Sequence, residues 1–207
     1  AMKIRTIEIL SALDILCLVI LVMFQTAMAL KMARKNRLLE QKAYIDIHTG
    51  LPNKGSCEEL LNNREILREP TACVIFDLNN LKTVNDTRGH SAGDQLILSF
   101  ARLLRRVIPE KHFVGRYGGD EFIIFADNHT DSDAKELIDC IYMHIKKFNR
   151  ISDKPYAIDA SIGYIITKAD IDMSLYKVIS MADQAMYENK KRRKEERLAA
   201  GLESFIR

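Results

Sequence analysis

Hydrophobic and polar positions follow three different rhythms along this chain. From Ile9 to Leu30 the only formal charge is Asp14, and Ile15 to Phe24 is apolar on every side. A helix that is apolar all round belongs in a membrane or a large core, and about 20 such residues span a bilayer. Further along, Cys73-Val74-Ile75-Phe76 and Phe122-Ile123-Ile124-Phe125 are short apolar runs of β-prone residues, the pattern of buried strands. The third rhythm is helical. Leu96, Ile97, Phe100, Ala101 and Leu104 share one face of a predicted helix. Leu137, Ile138, Ile141 and Ile145 do so within 134–148, and Leu175, Val178, Ile179, Ala182 and Met186 form a later stripe. Stripes of this kind face a core.

Charge sharpens the reading of the front segment. Lys31, Arg34, Lys35, Arg37 and Lys42 come directly after it, and the positive-inside rule then puts its C-terminal side in the cytoplasm. Lys3 and Arg5 on the other flank blunt that bias. Two further readings stay open: Ala27-Met28-Ala29 has the small-residue form of a signal-peptidase site, and a soluble signalling helix could dimerise with Asp14 exposed. The expected organisation is an N-terminal apolar helix over 1–31, read as a transmembrane anchor, a helical linker over 32–45, a globular domain over 46–194 and a tail over 195–207. A length of 207 residues suits one domain with an appendage.

Composition excludes more than it suggests. The net charge of +3 is small, and basic residues are not interleaved with aromatics, so no nucleic-acid surface is expected. The run Lys190 to Lys194 reads mainly as a solvated helix end. Cys17, Cys57, Cys73 and Cys140 are scattered without a Cys-x-x-Cys pair, which points to buried thiols in a reducing compartment rather than zinc or disulfides. No Ser-His-Asp arrangement and no internal repeat is legible.

The chemistry-bearing residues lie at strand ends. Gly118-Gly119 before the second apolar run predicts a tight hairpin turn with positive φ. Asp120 and Glu121 then place two like charges at the mouth of a buried strand. They suit a hard divalent cation, which takes carboxylate oxygens and leaves room for phosphate oxygens, or else a solvated acidic tip. Asp77 closes the first apolar run, where open α/β sheets place ligands. Downstream come Asn85-Asp86, Gly89-His90 and Ser91-Ala92-Gly93-Asp94. Asp94 fits a binding role or a capping box Ser91-x-x-Asp94, and Asn85 a binding role or an ordinary turn.

Together these residues resemble the GGDEF family of diguanylate cyclases. The signature Gly118-Gly119-Asp120-Glu121-Phe122 is intact. Phe76-Asp77-x-Asn79-x-Leu81-Lys82-x-x-Asn85-Asp86 is similar to the family's Phe-Asp-x-Asp-x-Phe-Lys-x-x-Asn-Asp, with His90 and Gly93-Asp94 at the family's spacing. Asp46-Ile47-His48-Thr49-Gly50-Leu51-Pro52-Asn53-Lys54 resembles the opening motif Asp-x-Leu-Thr-Gly-Leu-x-Asn-Arg. Ser161-Ile162-Gly163 resembles a later strand, and Ala182-Asp183-x-Ala185-Met186-Tyr187-x-x-Lys190 a late helix. The likeness covers residues 46–194.

The resemblance implies an α/β (α+β) fold like the palm of nucleotide cyclases and polymerases, with a central, mainly antiparallel sheet flanked by helices. It implies condensation of two GTP into cyclic di-GMP with release of two pyrophosphates, across a homodimer in which each domain holds one GTP. Asp77, Asp120, Glu121 and the Leu78 carbonyl would hold Mg²⁺, or Mn²⁺ in its place. Asp120 and Glu121 would carry the catalytic role, Glu121 as ligand or proton acceptor. Asn85 and Asp94 would read guanine, while Lys82, Lys190 and the Asn80-Leu81 backbone would meet phosphates. The implied placement is the bacterial inner membrane, single-pass, with the catalytic domain in the cytoplasm.

Departures from the family pattern also carry information. Asn79 and Leu81 stand where Asp and Phe are usual, His48 replaces a usual Leu, and Arg193-Lys194 stand at a usual Gly-Arg pair. Pro109-Glu110-Lys111-His112 occupies the place of the family's product-binding Arg-x-x-Asp, so feedback inhibition through that site is not expected. Two other functions fit the same chain: a catalytically weak or inactive GTP-binding scaffold, and a membrane-tethered dimerisation module that binds no nucleotide.

Overall fold

A computed structural model describes residues 2–62, 69–168 and 175–199, without the side chains of 2–15, 37–42, 61–62, 175 and 197–199. Asp14 and Leu175 are thus described by backbone alone, and 200–207 of the expected tail lie outside the description. The chain divides into two compact units, residues 1–43 and 44–207. The first is the body of α1 (Met2–Tyr44), an uninterrupted helix. Within it Leu16–Asn36 forms a 21-residue stretch long and apolar enough to cross a membrane, with none of it buried. Leu18, Met23, Phe24 and Leu30 each leave more than half their surface exposed.

The second unit is built on one four-stranded sheet in the order β2-β3-β1-β4, every neighbour antiparallel. Its strands are β1 (Thr71–Leu78), β2 (Phe113–Arg116), β3 (Glu121–Asp127) and β4 (Ala160–Ile166). Its helices are α2 (Lys54–Asn62), α3 (Leu81–Arg88), α4 (His90–Val107), α5 (Asp131–Ile151) and α6 (Leu175–Ala199). The central β1 is buried along its whole length, because both of its faces are covered.

Strand alternation sorts the core into two layers. Even-numbered Ala72, Val74, Phe76 and Leu78 meet α4 and α5, where Phe100 stacks edge-on between Phe76 and Phe122 at 5.7 and 5.0 Å. Odd-numbered Cys73 and Ile75, with Ile123 and Phe125, meet Val178, Ile179, Ala182 and Met186 of α6. Asp77 continues the odd series and therefore points toward α6. A Cβ on Gly163 of β4 would lie 2.0 Å from the Met186 nitrogen and 2.4 Å from the Ala182 carbonyl. Only a glycine lets α6 press its backbone onto the strand there, and this close approach fixes where the next turn of α6, with Lys190, sits.

Two local expectations are corrected. Neither Gly118 nor Gly119 adopts positive φ; among the described residues that conformation falls on Gly50, Asn80, Gly89 and Asn128. The hairpin has a longer tip than two residues, because Arg116 pairs with Phe122 and Tyr117 N–H then bonds Glu121 O at 2.8 Å. Ser91-x-x-Asp94 is not a capping box: α4 begins at His90, with Gly89 as an N-cap that offers no side chain. The box appears instead at Thr130 and Asp133, which cap α5 reciprocally.

Candidate functional site

The site assembles where β1 and β3 end together. Register places Asp77 directly opposite Glu121 on one side and Ser161 on the other. Just beyond, Leu78 N–H donates to the Asp120 carbonyl at 3.0 Å, so the signature turn is laced to the end of β1. Lys190 of α6 reaches back to Asp77, its ammonium 2.7 Å from Oδ1. The Asp77 side chain is only 12% exposed and that of Lys190 46%, so the carboxylate is fixed while the cation keeps water on one side.

Electrostatics there are unbalanced. Burial pushes the Asp77 carboxyl above its usual range, Lys190 pulls it back, and Asp120 and Asp183 add to the rise. Burial likewise raises Glu121, followed by the charges of Asp120, Asp183 and Asp77, with Lys190 opposing. One ammonium faces several carboxylates. The donors are all oxygens, which suits a hard cation such as Mg²⁺ or Mn²⁺. Among the described residues no three His, Cys, Asp or Glu side chains close into a ready cage. A cation here would therefore draw on two carboxylates, a backbone carbonyl and oxygens brought by a ligand, the habit of Mg²⁺ at phosphate sites.

Beside this cluster a short turn leads into α3. Asn80 precedes the helix at φ 63°, ψ 13°, a left-handed conformation that Asn tolerates, and its side chain makes no cap. The first-turn amides of α3, at Leu81 and Lys82, are thus not engaged by a capping side chain, and helix N-termini favour anions. Lys82 is exposed on the same turn. One turn later Asn85 lies against α4. A Cβ on Gly93 would come 2.0 Å from Asn85 Oδ1, so Gly93 makes the room that Asn85 occupies. The next residue, Asp94, keeps its side chain 60% exposed. Asn85 and the Gly93-Asp94 pair are thus brought together where α3 packs on α4. His48 joins them, with Nε2 3.2 Å from the Asp94 carbonyl and 3.9 Å from Oδ1. Since a carbonyl only accepts, Nε2 carries the proton.

Three groups of neighbours were not foreseen. Arg116 donates to both oxygens of Asp46 at 3.1 Å and to the Gly118 and Gly119 carbonyls, folding the signature turn onto the opening motif. Asp46 also accepts from Thr49 N–H and Oγ1 at 2.8 and 2.6 Å. Burial alone would raise the Asp46 pKa, but the Thr49 hydrogen bonds and Arg116 together take it below the ordinary value. An Asp with a Thr three residues on is a local signal for that turn, whereas Arg116 lies seventy positions away. The second group is Asn79, Asp159 and Arg193, a chain of hydrogen bonds beneath the Asn80 turn. The third is His112, buried edge-on to His129 at 4.8 Å.

Known proteins resemble this chain in sequence and in fold. Residues 43–196 match the family described as "Diguanylate cyclase, GGDEF domain". The signaling protein YkoW of Bacillus subtilis is 35% identical over 170 residues, covering 79% of this chain and 21% of that protein. The bifunctional diguanylate cyclase/cyclic di-GMP phosphodiesterase MucR of Pseudomonas aeruginosa is 31% identical over 169 residues, covering 80% of this chain and 24% of MucR. The chain thus spans about a quarter or less of the length of these two relatives. Among solved structures, the coiled coil and GGDEF domain of DgcB from Caulobacter crescentus, in complex with c-di-GMP, aligns with TM-score 0.72 at 26% identity. That match covers 81% of this chain and 91% of the other.

Proposed function

Because the chain belongs to the GGDEF domain family, that of the diguanylate cyclases, we propose that it condenses two GTP into cyclic di-GMP and releases two pyrophosphates. The observation that carries this reading is the meeting of Asp77, the Asp120 turn and Glu121 at one end of the two central strands, with Lys190 paired to Asp77.

Each group has a role that its position supports. Asp77, Asp120 and the Leu78 carbonyl would hold Mg²⁺ or Mn²⁺, with Glu121 as a further ligand or as proton acceptor. The cation would supply charge neutralisation at the α-phosphate and a lower pKa for the ribose 3′-hydroxyl. Asn85 and Asp94 read the guanine edge, since an Asp carboxylate accepts from N1–H and the 2-amino group. A base without those donors leaves the carboxylate unpaired, which discriminates strongly. Lys82 and the Asn80-Leu81 amides meet the β- and γ-phosphates. Lys190, half exposed on Asp77, is within reach of the same phosphates. Phosphoryl-type transfer needs chiefly positioning and charge stabilisation, and these residues provide both.

One domain holds one GTP, so two must face each other. The open position of Asp94 at the domain surface suits that arrangement. Residues 1–31 would anchor the chain as a single span in a bacterial inner membrane, 32–45 continue as a helical linker, and 46–194 form the catalytic domain in the cytoplasm, with 195–207 as a tail. The matched DgcB structure comprises a coiled coil and a GGDEF domain, a parallel for a pairing helix here.

The test is incubation of the full chain in detergent with GTP and Mg²⁺, then chromatography for cyclic di-GMP. Product that disappears in Asp120→Ala supports the cyclase. Tight GTP binding without product overturns it in favour of a GTP-binding scaffold, a reading favoured by Asn79 and Leu81 at positions where the family pattern has Asp and Phe.

A further inference from the structure

Asn79 comes directly after Leu78 at the end of β1 and precedes the left-handed Asn80 turn, and its own side chain is engaged away from both. Its backbone N–H donates to the Asp159 carbonyl at 2.9 Å, and its amide nitrogen donates to Asp159 Oδ2 at 2.8 Å. Its amide oxygen accepts from Ser161 Oγ at 3.1 Å. Asp159 is 5% exposed, and its second oxygen accepts from Arg193 of α6 at 2.9 Å. The same guanidinium donates to the Ala160 carbonyl and lies over the Tyr142 ring, 5.6 Å from its centroid. Asn149 clamps the preceding residue from both sides, taking Ile158 N–H and donating to Ile158 O at 2.7 Å each.

These contacts specify residue types. A carboxylate only accepts, so the group facing Asp159 must be a donor, while the Ser161 hydroxyl, able to donate or accept, here donates to the amide oxygen. An amide satisfies both. An Asp at 79 would leave one oxygen against another buried carboxylate, a repulsive arrangement at that distance. Asn79 and Arg193, two departures from the family pattern, meet on this single carboxylate. Arg193 also sits three residues after Lys190, on the same face of α6.

We infer that Asn79, Asp159 and Arg193 form a positioning relay that holds the Asn80-Leu81 phosphate turn in its left-handed form and ties it to the helix carrying Lys190. The inference rests on the cyclase reading for its kinetic consequence and on geometry alone for its structural one. All three are assigned as positioning residues. Their effect is on where the turn amides and Lys190 stand when triphosphate binds.

The experiment is an amide–carboxylate exchange. Asn79→Asp should raise the KM for GTP about tenfold, the scale of one buried hydrogen bond lost, with kcat changed far less. Asn79→Asp combined with Asp159→Asn restores a donor opposite an acceptor and should return KM to within a few-fold of the parent. Hydrogen exchange of the amides at 79–82 is read in parallel. It should accelerate in Asn79→Asp and in Arg193→Ala, and recover in the exchanged pair. If Asn79→Asp does not fold, Arg193→Ala against Arg193→Gln carries the same comparison. A parent that makes no product defeats the cyclase reading and leaves the exchange measurement to decide the relay. Unchanged exchange at 79–82, or a double variant no better than the single, overturns the relay.

Discussion

The clasp at Asp46 and the cluster at Asp77 use the same chemistry to opposite ends. Asp46 is amply partnered: it accepts from two Thr49 donors and from Arg116 Nη1, which is shared between both carboxylate oxygens. The Asp77 cluster has fewer, one ammonium shared among Asp77, Asp120, Glu121 and Asp183. The Asp46 carboxyl sits below its ordinary pKa despite its burial, whereas burial first, and neighbouring carboxylates after it, hold Asp77 and Glu121 above theirs. A carboxylate that serves the fold is fully paired. The Asp77 cluster is left short of positive charge, as the proposed role toward a cation and a triphosphate requires, and the surrounding fold tolerates the repulsion.

The sharpest break of this contrast removes one charged group from each side. Asp120→Ala should cut cyclic di-GMP formation to below about one hundredth, the scale of losing one charge-stabilising group, while the thermal midpoint holds or rises. Arg116→Ala should do the reverse in kind. With side chains 14% and 22% exposed, the Arg116–Asp46 pair is close to buried, and breaking it should cost about 2–3 kcal/mol in urea unfolding. A loss under a few tenths would demote the clasp to a surface contact. Glu121→Gln should raise the thermal midpoint by a few degrees at most and reduce the further rise that GTP with Mg²⁺ confers on the parent.

The smallest effect is in pH. Asp46 has a lowered folded pKa, so its contribution is complete above its ordinary 3.8 and fades as pH falls through the folded value. Urea midpoints of parent and Asp46→Asn should differ at neutral pH and converge in acid. Glu121 has a raised folded pKa, so its ionisation opposes folding above its ordinary 4.5. The gain from Glu121→Gln should therefore be present at neutral pH and shrink as pH drops toward that value. Parallel curves for both variants would erase the distinction between the two regions.

Much of the fold is legible in the residues themselves. β1 and β3 can be read because a continuous apolar run means burial on both faces, and α4, α5 and α6 because their stripes repeat at helical spacing. The short edge strand β2 has only four residues, mostly half-buried, and no period to read. The acidic cluster is visible as unpaired charge at strand ends. The Arg116–Asp46 clasp and the Asn79–Asp159–Arg193 relay are not, since partners 70 and 80 positions apart leave no local pattern. The expected glycine turn fails for a related reason: Arg116 gathers the tip carbonyls, and the left-handed positions fall at Asn80 and Gly89 instead.

The absent side chain at Gly163 has a mechanical consequence. A helix whose backbone rests on a strand cannot slide along it by fractions of a turn, because Met186 and Ala182 are already at contact. α6 is therefore pinned against β4 at that point, and it continues helically to Ala199, well past Lys190.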